Sequence, residues 1–330
     1  MAVVTNTFQS TSAVGNREDL SDIVSRITPQ DTPIYSMIGK TKCSNTRPEW
    51  EIDTLRAPAA NAQLEGDEYA YSAITVPTRV SNRTQIFREG WVVSKTQEAI
   101  DNAGSVEKIA EQKVKSAIHV RKDIELAIVS NTASVGGATR VLGGLPSWLT
   151  TNVSRGATGA NGGYSSGTGL TVAATNGTQR AFTKALLDTV MQSGYQNGAD
   201  FSDVIVSPYV KSVFVTFMSD TNVAAFRYAA DGKGKNTIVG TADVYEGPFG
   251  KVLVKPNRVM ASSAGVARNA FLLTPDYLKW GNLRPIQEDP NLAKTGDATK
   301  GMILGEGTLE VLNEGALGVV ADVFGLTAAS

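Results

Sequence analysis

The sequence is poor in the residues on which catalytic and metal sites depend. Its 330 residues include one histidine and one cysteine, Cys43. A single cysteine excludes an intrachain disulfide, and a zinc site needs about four nitrogen or sulfur ligands. The one histidine, His119, lies within a predicted helix, where a packed or solvated residue is far commoner than a catalytic base. We therefore predict a protein that is not an enzyme, with no catalytic residue, no metal and no cofactor.

The chain also lacks an excess of charge and any long apolar run. Its net charge is −1, which excludes a dedicated nucleic-acid-binding protein, because phosphate contacts need surplus Lys and Arg. Charged residues make up only 19%, which predicts that part of the surface is buried against other chains. No segment has the ~20 consecutive apolar residues of a membrane span, and we expect no signal peptide and no membrane partner.

The longest predicted element is one helix from Ser105 to Thr132, which no glycine or proline interrupts. At 1.5 Å per residue it would be roughly 40 Å long, so it needs an extended surface to lie against. Glu111 and Lys115 are four residues apart in the favourable order for an exposed ion pair. Apolar residues recur along one stripe at Val106, Ala110, Val114, Ala117, Ile118, Ile124 and Ile128.

A second extended feature precedes the helix. Polar and apolar residues alternate from Trp50 to Thr54 and again from Ile74 to Val80, which predicts two strands of a long β-hairpin. The segment between them, Ala57 to Glu68, is small, polar and acidic at its end. A two-stranded ribbon reaching roughly 40 Å is not stable alone in water, so it must lie on this chain or on a neighbouring copy.

The remaining pattern predicts a mixed α+β fold. A helix from Thr178 to Gln196, a buried strand at Val204–Val206 and a helix from Tyr209 to Met218 form a helix–strand–helix unit. Ser207 would cap the second helix, with Pro208 as its first-turn proline. Further strands are predicted at Phe271–Leu273, Thr308–Val311 and Leu317–Val323.

Several short motifs, none of them catalytic, occur in a particular order and spacing along the whole chain. They are Arg17–Asp22, Thr28-Pro29, Thr32-Pro33, Ser94–Gln97, Arg121–Glu125, Gly144-Leu145 with Trp148, Tyr245-Glu246 with Phe249-Gly250, Leu283–Pro285, Leu292–Ala298 and Glu306–Val311. In this order the sequence resembles the major capsid proteins of tailed phages, which share the Hong Kong 97 (HK97) fold. It is most similar to the short-tailed-phage group without a large N-terminal scaffolding domain.

The resemblance implies a division of the chain. Residues 1–45 would be an N-terminal arm and 46–95 an extended β-hairpin loop. Residues 96–135 and 265–330 would form a peripheral domain with the long helix as its spine, the later segment completing its sheet. Residues 136–264 would be the axial domain.

The resemblance also implies a function and partners. The chain would self-assemble into hexamers and pentamers of an icosahedral phage head enclosing double-stranded DNA, bound non-specifically. A separate scaffold protein, a portal and decoration proteins would be further partners. The protein would reside in the virion capsid after assembly in the host bacterial cytoplasm.

The candidate site residues are contacts between subunits. For the acidic tip, a cation site is weighed against a surface that faces water or a neighbour's arginine, and the second is favoured. For the hairpin arginines, DNA contacts are weighed against acids of an adjacent subunit, and the near-zero net charge favours the acids. The residues are Trp50, Glu65, Asp67, Glu68, Arg79, Arg83, Arg88, Arg17 and Asp19.

Two other functions stay open on sequence alone. An encapsulin-like nanocompartment shell would share the fold and would need a cargo-docking groove. A β-rich surface-binding or adhesin-like protein is suggested by the Gly-, Ser- and Thr-rich residues 152–178. Particle size separates the shells from an adhesin, which would be a small oligomer.

Overall fold

The computed structural model describes residues 31–68, 71, 73–100, 108–219, 243–289, 292–293 and 296–325. The candidate contacts Arg17 and Asp19, and most of the predicted arm, lie outside these ranges. Two main β-sheets and one long helix make up the described fold.

The strands are β1 (Gly39–Lys42), β2 (Glu49–Ile52), β3 (Thr78–Ser81), β4 (Gln85–Ser94), β5 (Asn152–Ser154), β6 (Gly163–Ser165), β7 (Leu170–Val172), β8 (Asp203–Val206), β9 (Val244–Gly247), β10 (Gly250–Pro256), β11 (Ala270–Leu273), β12 (Leu278–Glu288), β13 (Ala298–Val311) and β14 (Gly318–Val320). The α-helices are α1 (Pro33–Met37), α2 (Lys95–Ala99), α3 (Lys108–Val129), α4 (Lys184–Gln196), α5 (Pro208–Val215) and α6 (Ala264–Ala267).

The first sheet has four strands in the order β1-β12-β13-β4. β1 runs parallel to β12, whereas β12–β13 and β13–β4 are antiparallel. Helix α3 packs on β4 and β13 through a buried stripe that includes Val120, Ile124 and Ile128. The long predicted helix therefore lies against two long strands of the four-stranded sheet.

Glycines in β13 leave room for two tryptophan rings. A Cβ atom at Gly301 would lie 2.0 Å from the Trp91 ring, and one at Gly307 would lie 2.7 Å from the Trp280 ring. Real Cβ atoms do not approach so closely, so only glycine lets these indoles lie on the strand.

The second sheet has six strands in the order β5-β14-β11-β8-β10-β9. The central strands β8 and β11 are buried on both faces, which explains the apolar sequence of β11 and of Val204–Val206 in β8. Ile205 and Phe271 point into the core that contains the α3 stripe. Their neighbours Val204 and Leu272 point to the opposite face, where they pack with α4 and α5. Side-chain alternation along each strand thus divides the interior into two clusters.

The structure corrects the predicted helix at its N-terminal half. Residues 101–107 lie outside the described ranges, and the described helix runs from Lys108 to Val129. Ala110 and Val114 were predicted in the buried stripe but are exposed. Burial begins nearer the middle of the helix, at Ser116. The predicted Glu111–Lys115 ion pair is confirmed at 2.8 Å.

The predicted hairpin needs a larger correction. β2 and β3 pair in antiparallel fashion over four residue pairs, from Glu49–Ser81 to Ile52–Thr78. The described residues between Ile52 and Thr78 form no strand, although Ile74 and Val76 were predicted to lie in one. Alternation alone does not make a strand where no partner strand or supporting surface is present.

Sheet membership also differs from the sequence interpretation. β12 and β13 lie in the four-stranded sheet beside α3. β11 and β14 instead pair with each other and with β8 and β5 of the six-stranded sheet. The C-terminal part of the chain therefore contributes to both sheets, with the long strands β12 and β13 in one and the short apolar strands β11 and β14 in the other.

Candidate assembly surface

Trp50 fixes the root of the β2–β3 ribbon to the body. Its indole Nε1 donates a hydrogen bond to the Val311 carbonyl oxygen at 2.8 Å. Its ring lies 5.6 Å from that of Trp148, which stacks on Tyr164 at 5.7 Å with an interplanar angle of 4°. Its indole is engaged within its own chain, and the predicted contact of Trp50 with another subunit stays a prediction.

Beyond this root the chain leaves the body. Every described residue from Asp53 to Arg79 is exposed. We call residues 53–77 the projecting arm. Its large apolar side chains have almost no cover: Leu55 is 97% exposed, Tyr71 91% and Ile74 91%. Such a concentration of exposed apolar surface in one segment is typical of a protein interaction site.

The acidic tip of the arm is a tight turn. The Asp67 amide donates to the Leu64 carbonyl oxygen at 3.2 Å, and Gly66 adopts a φ of +84°, which favours glycine. Glu65, Asp67 and Glu68 are all exposed on this turn, beside the exposed Leu64. The turn therefore presents one apolar side chain and three carboxylates to the surroundings.

The three candidate arginines have different environments. Arg79 faces Glu49 across the ribbon at 3.5 Å and its side chain stays exposed, so its contact with another subunit stays a prediction. Arg83 is half-buried, and its guanidinium lies beside Gly136. Arg88 is exposed on the outer side of β4 and makes no ion pair with any described residue.

A buried carboxylate, Glu306, lies near Arg88 and joins three separate segments. It accepts hydrogen bonds from Thr84 at 2.8 Å, from Arg140 at 2.6 Å and from the Arg284 Nε at 3.0 Å. Burial raises the pKa of Glu306, but the hydrogen bonds from Thr84, Arg140 and Arg284 outweigh burial, and the net shift is downward. The ionised form is therefore the one that the fold stabilises.

A second buried carboxylate, Glu125, holds helix α1 to helix α3. Its Oε1 accepts from the Ile34 amide at 3.0 Å and from the Asn257 Nδ2 at 2.6 Å, and its Oε2 accepts from the Tyr35 amide at 2.7 Å. Thr32, the residue before α1, makes no side-chain cap, so Glu125 satisfies first-turn amides that would otherwise be unpaired. Three segments that are distant in sequence meet at this carboxylate.

Burial raises the pKa of Glu125, against the lowering effect of its three hydrogen bonds and of Lys40. Lys40 is itself affected by the site, since burial lowers its pKa to about 8. Sequence reasoning missed Glu125, although a signal was present. Glu125 lies three residues before Ile128 and seven after Ile118, so a charged residue occupies the apolar side of a predicted helix.

The remaining reactive residues show no catalytic arrangement. The His119 Nδ1 lies 3.3 Å from the Glu89 Oε1 on the surface. Cys43 is buried, and its thiol donates to the Glu310 Oε1 at 3.2 Å. Burial, together with Glu310, raises the pKa of Cys43 to about 12. Among the described residues, no group of three or more metal-ligating side chains occurs, and no helix is long and apolar enough to cross a membrane.

Comparison with known proteins identifies relatives by sequence. The family model for the SU10 major capsid protein matches residues 3–324. The major capsid protein of Escherichia phage Phieco32 is 30% identical over 127 residues. That alignment covers 38% of this chain and 36% of the relative, so it spans about a third of the length of the curated relative.

Solved structures show the same fold at low identity. The capsid asymmetric unit of cyanophage A-1(L) gives a TM-score of 0.60 at 12% identity, covering 96% of this chain and 98% of the other. A structure of the major capsid and decoration proteins of phage G gives 0.51 at 11% identity, covering 97% and 99%. The α+β fold is therefore the HK97-like fold of phage capsids, as the sequence resemblance implied.

Proposed function

This chain belongs to the SU10 major capsid protein family, and we propose that it is a structural subunit that assembles with copies of itself into a closed phage head. In this proposal hexamers and pentamers form an icosahedral shell around double-stranded DNA. Contact with that DNA is weak and independent of sequence, in keeping with a net charge of −1. The role requires no catalysis, and the protein resides in the virion.

The observation that carries the proposal is the projecting arm. Burial of its exposed apolar side chains, such as Leu55 and Ile74, would stabilise a contact by about 25 cal/mol for each Å² of apolar surface removed from water. No described residue of the same chain covers them. A second copy is the partner that a self-assembling shell supplies, and a heterologous contact of this kind closes into rings.

Finer assignments extend the same proposal. Residues 1–45 act as an N-terminal arm and 46–95 as the loop that lies on a neighbour. The four-stranded sheet with α3 serves as the peripheral unit, and the six-stranded sheet with α4 and α5 as the axial unit. Scaffold, portal and decoration proteins are further partners, and assembly takes place in the host cytoplasm. The phage G structure contains decoration proteins beside its major capsid protein, and this supports decoration proteins as partners in the proposal.

The two other functions considered from sequence gain no support. An adhesin was suggested by residues 152–178, but this segment contributes β5 to the six-stranded sheet and buries Asn152 and Thr171. An encapsulin-like shell would share the fold, and the family match favours a phage capsid instead.

Deletion of Ala57 to Glu68 tests the proposal. We expect the shortened chain to be folded and soluble but unable to form closed shells, because every removed residue is exposed in the described structure and none contributes to its core. Negative-stain microscopy and light scattering of the purified protein would measure particle closure. A matched control replaces the same residues with a Gly/Ser segment of equal length, which separates loss of contacts from loss of chain length. Normal shells from the deletion variant would refute the proposal.

A further inference from the structure

A cleft of about 280 Å³ opens on the outer side of the four-stranded sheet. Its lining joins two segments, the exposed side of β4 and the loop of residues 136–140, which is closed by paired backbone hydrogen bonds between Val135 and Val141. Ile86, Arg88, Ala138, Thr139 and Arg140 line it. The lining is therefore apolar at Ile86 and Ala138 and cationic at the two arginines.

The cleft has an excess of positive charge. Arg140 and Arg284 both contact Glu306, at 2.6 and 2.9 Å, so two cations share one carboxylate. Arg88 adds a third cation and has no ion-pair partner among the described residues. Among the described residues, Glu306 pairs with two of these three arginines, and Arg88 and Arg140 are the two that line the cleft. The Arg140 guanidinium is not fully satisfied by Glu306, since its buried Nε–H has no hydrogen-bond partner in the described structure.

Three lysines near this sheet have intrachain partners. Lys113 pairs with Glu288 at 3.1 Å, and Lys115 pairs with Glu111 at 2.8 Å. Lys95 pairs with Asp297 at 3.5 Å. Arg88 in the cleft has no such partner among the described residues, so its positive charge is available to an incoming anion.

We propose that the cleft receives the acidic tip of the projecting arm from a second copy of this chain, with Arg88 and Arg140 binding the carboxylates of Glu65 and Asp67. The inference rests on the proposed function and specifies the surface that the arm occupies. The tip combines the exposed Leu64 with three carboxylates, and the cleft combines the half-exposed Ile86 with its arginines. A nucleic-acid phosphate would match the charge of the cleft but not its apolar half, which favours a protein segment.

Charge reversal tests the pairing. One variant carries Arg88→Glu, a second carries Glu65→Lys, Asp67→Lys and Glu68→Lys, and a third carries all four changes in one chain. We expect each of the first two to lower the yield of closed shells by at least about tenfold, because like charges then face each other. The third should restore part of the lost yield, since the carboxylate introduced at position 88 then faces the lysines of the tip while Arg140 stays cationic. Arg140 is left unchanged because it also holds Glu306.

Controls separate folding from assembly. Lys184→Glu alters an exposed charge on α4, away from the cleft, and should assemble as the unmodified chain does. Denaturant unfolding of each unassembled variant establishes that it is folded, and Arg88→Gln serves as a milder change that removes the cation without adding repulsion. Sedimentation and negative-stain microscopy count the particles.

Several outcomes overturn the assignment. Normal shells from Arg88→Glu would overturn it. So would a combined variant that forms no more shells than the Arg88→Glu variant and the tip variant, provided that all three are folded. Closed shells of Arg88→Glu with reduced nucleic-acid content would mean that the cleft binds DNA and not the arm. If the Ala57–Glu68 deletion blocks closure while Arg88→Glu does not, the proposed function stands and only this surface is wrong.

Discussion

Replacing Glu125 by Gln would test the carboxylate that joins α1, α3 and the end of β10. Gln has the same shape, but it exchanges one acceptor oxygen for an amide donor. Oε1 accepts two hydrogen bonds and Oε2 accepts one, from the Tyr35 amide. The side-chain oxygen of the glutamine will accept from the Ile34 amide and the Asn257 Nδ2, because that orientation keeps two hydrogen bonds. The new side-chain amide will then face the Tyr35 N–H.

The magnitude follows from that geometry. One hydrogen bond is lost, and two buried donors, the Tyr35 N–H and the introduced side-chain amide, are left without acceptors. An unsatisfied buried donor costs about 1–3 kcal/mol. Removal of a buried charge offsets part of this cost. We expect the free energy of unfolding to fall by about 2–4 kcal/mol, a large share of the roughly 5–15 kcal/mol that stabilises a typical protein.

Denaturant unfolding of the unassembled chain would measure the global effect. Hydrogen exchange at the Ile34 and Tyr35 amides would measure the local one, and both amides should lose protection. Glu111→Gln on the same helix is the control, because an ion pair between residues four apart on a helix contributes about 0.3–0.5 kcal/mol. A Glu125→Gln variant as stable as that control, with unchanged exchange at α1, would refute the reasoning.

Two further predictions concern titratable groups. The pKa of Glu306 is lower in the folded chain than its ordinary value of 4.5, so its contribution to stability is present above pH 4.5 and is lost as pH falls through the folded value. Glu306→Gln should therefore lose less stability than the parent chain on acidification from about pH 6 to about pH 3 in circular-dichroism melts, and identical slopes would contradict this. The Cys43 thiol, with a pKa of about 12, should react with iodoacetamide only after unfolding. Labelling near pH 8 should be at least about a hundredfold slower in the native chain, since the thiolate is the reactive form, and rapid native labelling would contradict the burial of this residue.

Local features of the fold were predictable from the sequence because each depends on residues close together in the chain. The α3 periodicity indicated a helix that packs on one side, and Ile124 and Ile128 are indeed buried. The strand at Val204–Val206 is confirmed, as is the start of α5, where the Ser207 hydroxyl accepts from the Val210 amide and Pro208 occupies the first turn. The order of short motifs also indicated the capsid fold.

The candidate surface was only partly predictable. The sequence indicated that residues between Trp50 and Val80 extend from the body without support, and the exposure of Leu55 and Ile74 agrees with that expectation. It overestimated the paired part of the hairpin, because alternation measures the capacity to form a strand and not the presence of a partner. The sequence also could not distinguish Arg79 from Arg88. Arg79 forms an ion pair with Glu49 of its own chain, whereas Arg88 forms none with any described residue.

What the chain determined by itself was therefore the type and approximate position of its helices and strands, set by contacts over a few residues. Tertiary structure decided how those elements combine. β11 and β14 are short apolar strands that fit any buried sheet, and only packing on β8 and β5 assigns them to the six-stranded one. Likewise, Glu125 and Ile34 are 91 positions apart, and their hydrogen bond exists because folding brings an unpaired amide to a buried carboxylate. Such pairings depend on the free energy of the whole folded chain, which a local sequence pattern does not describe.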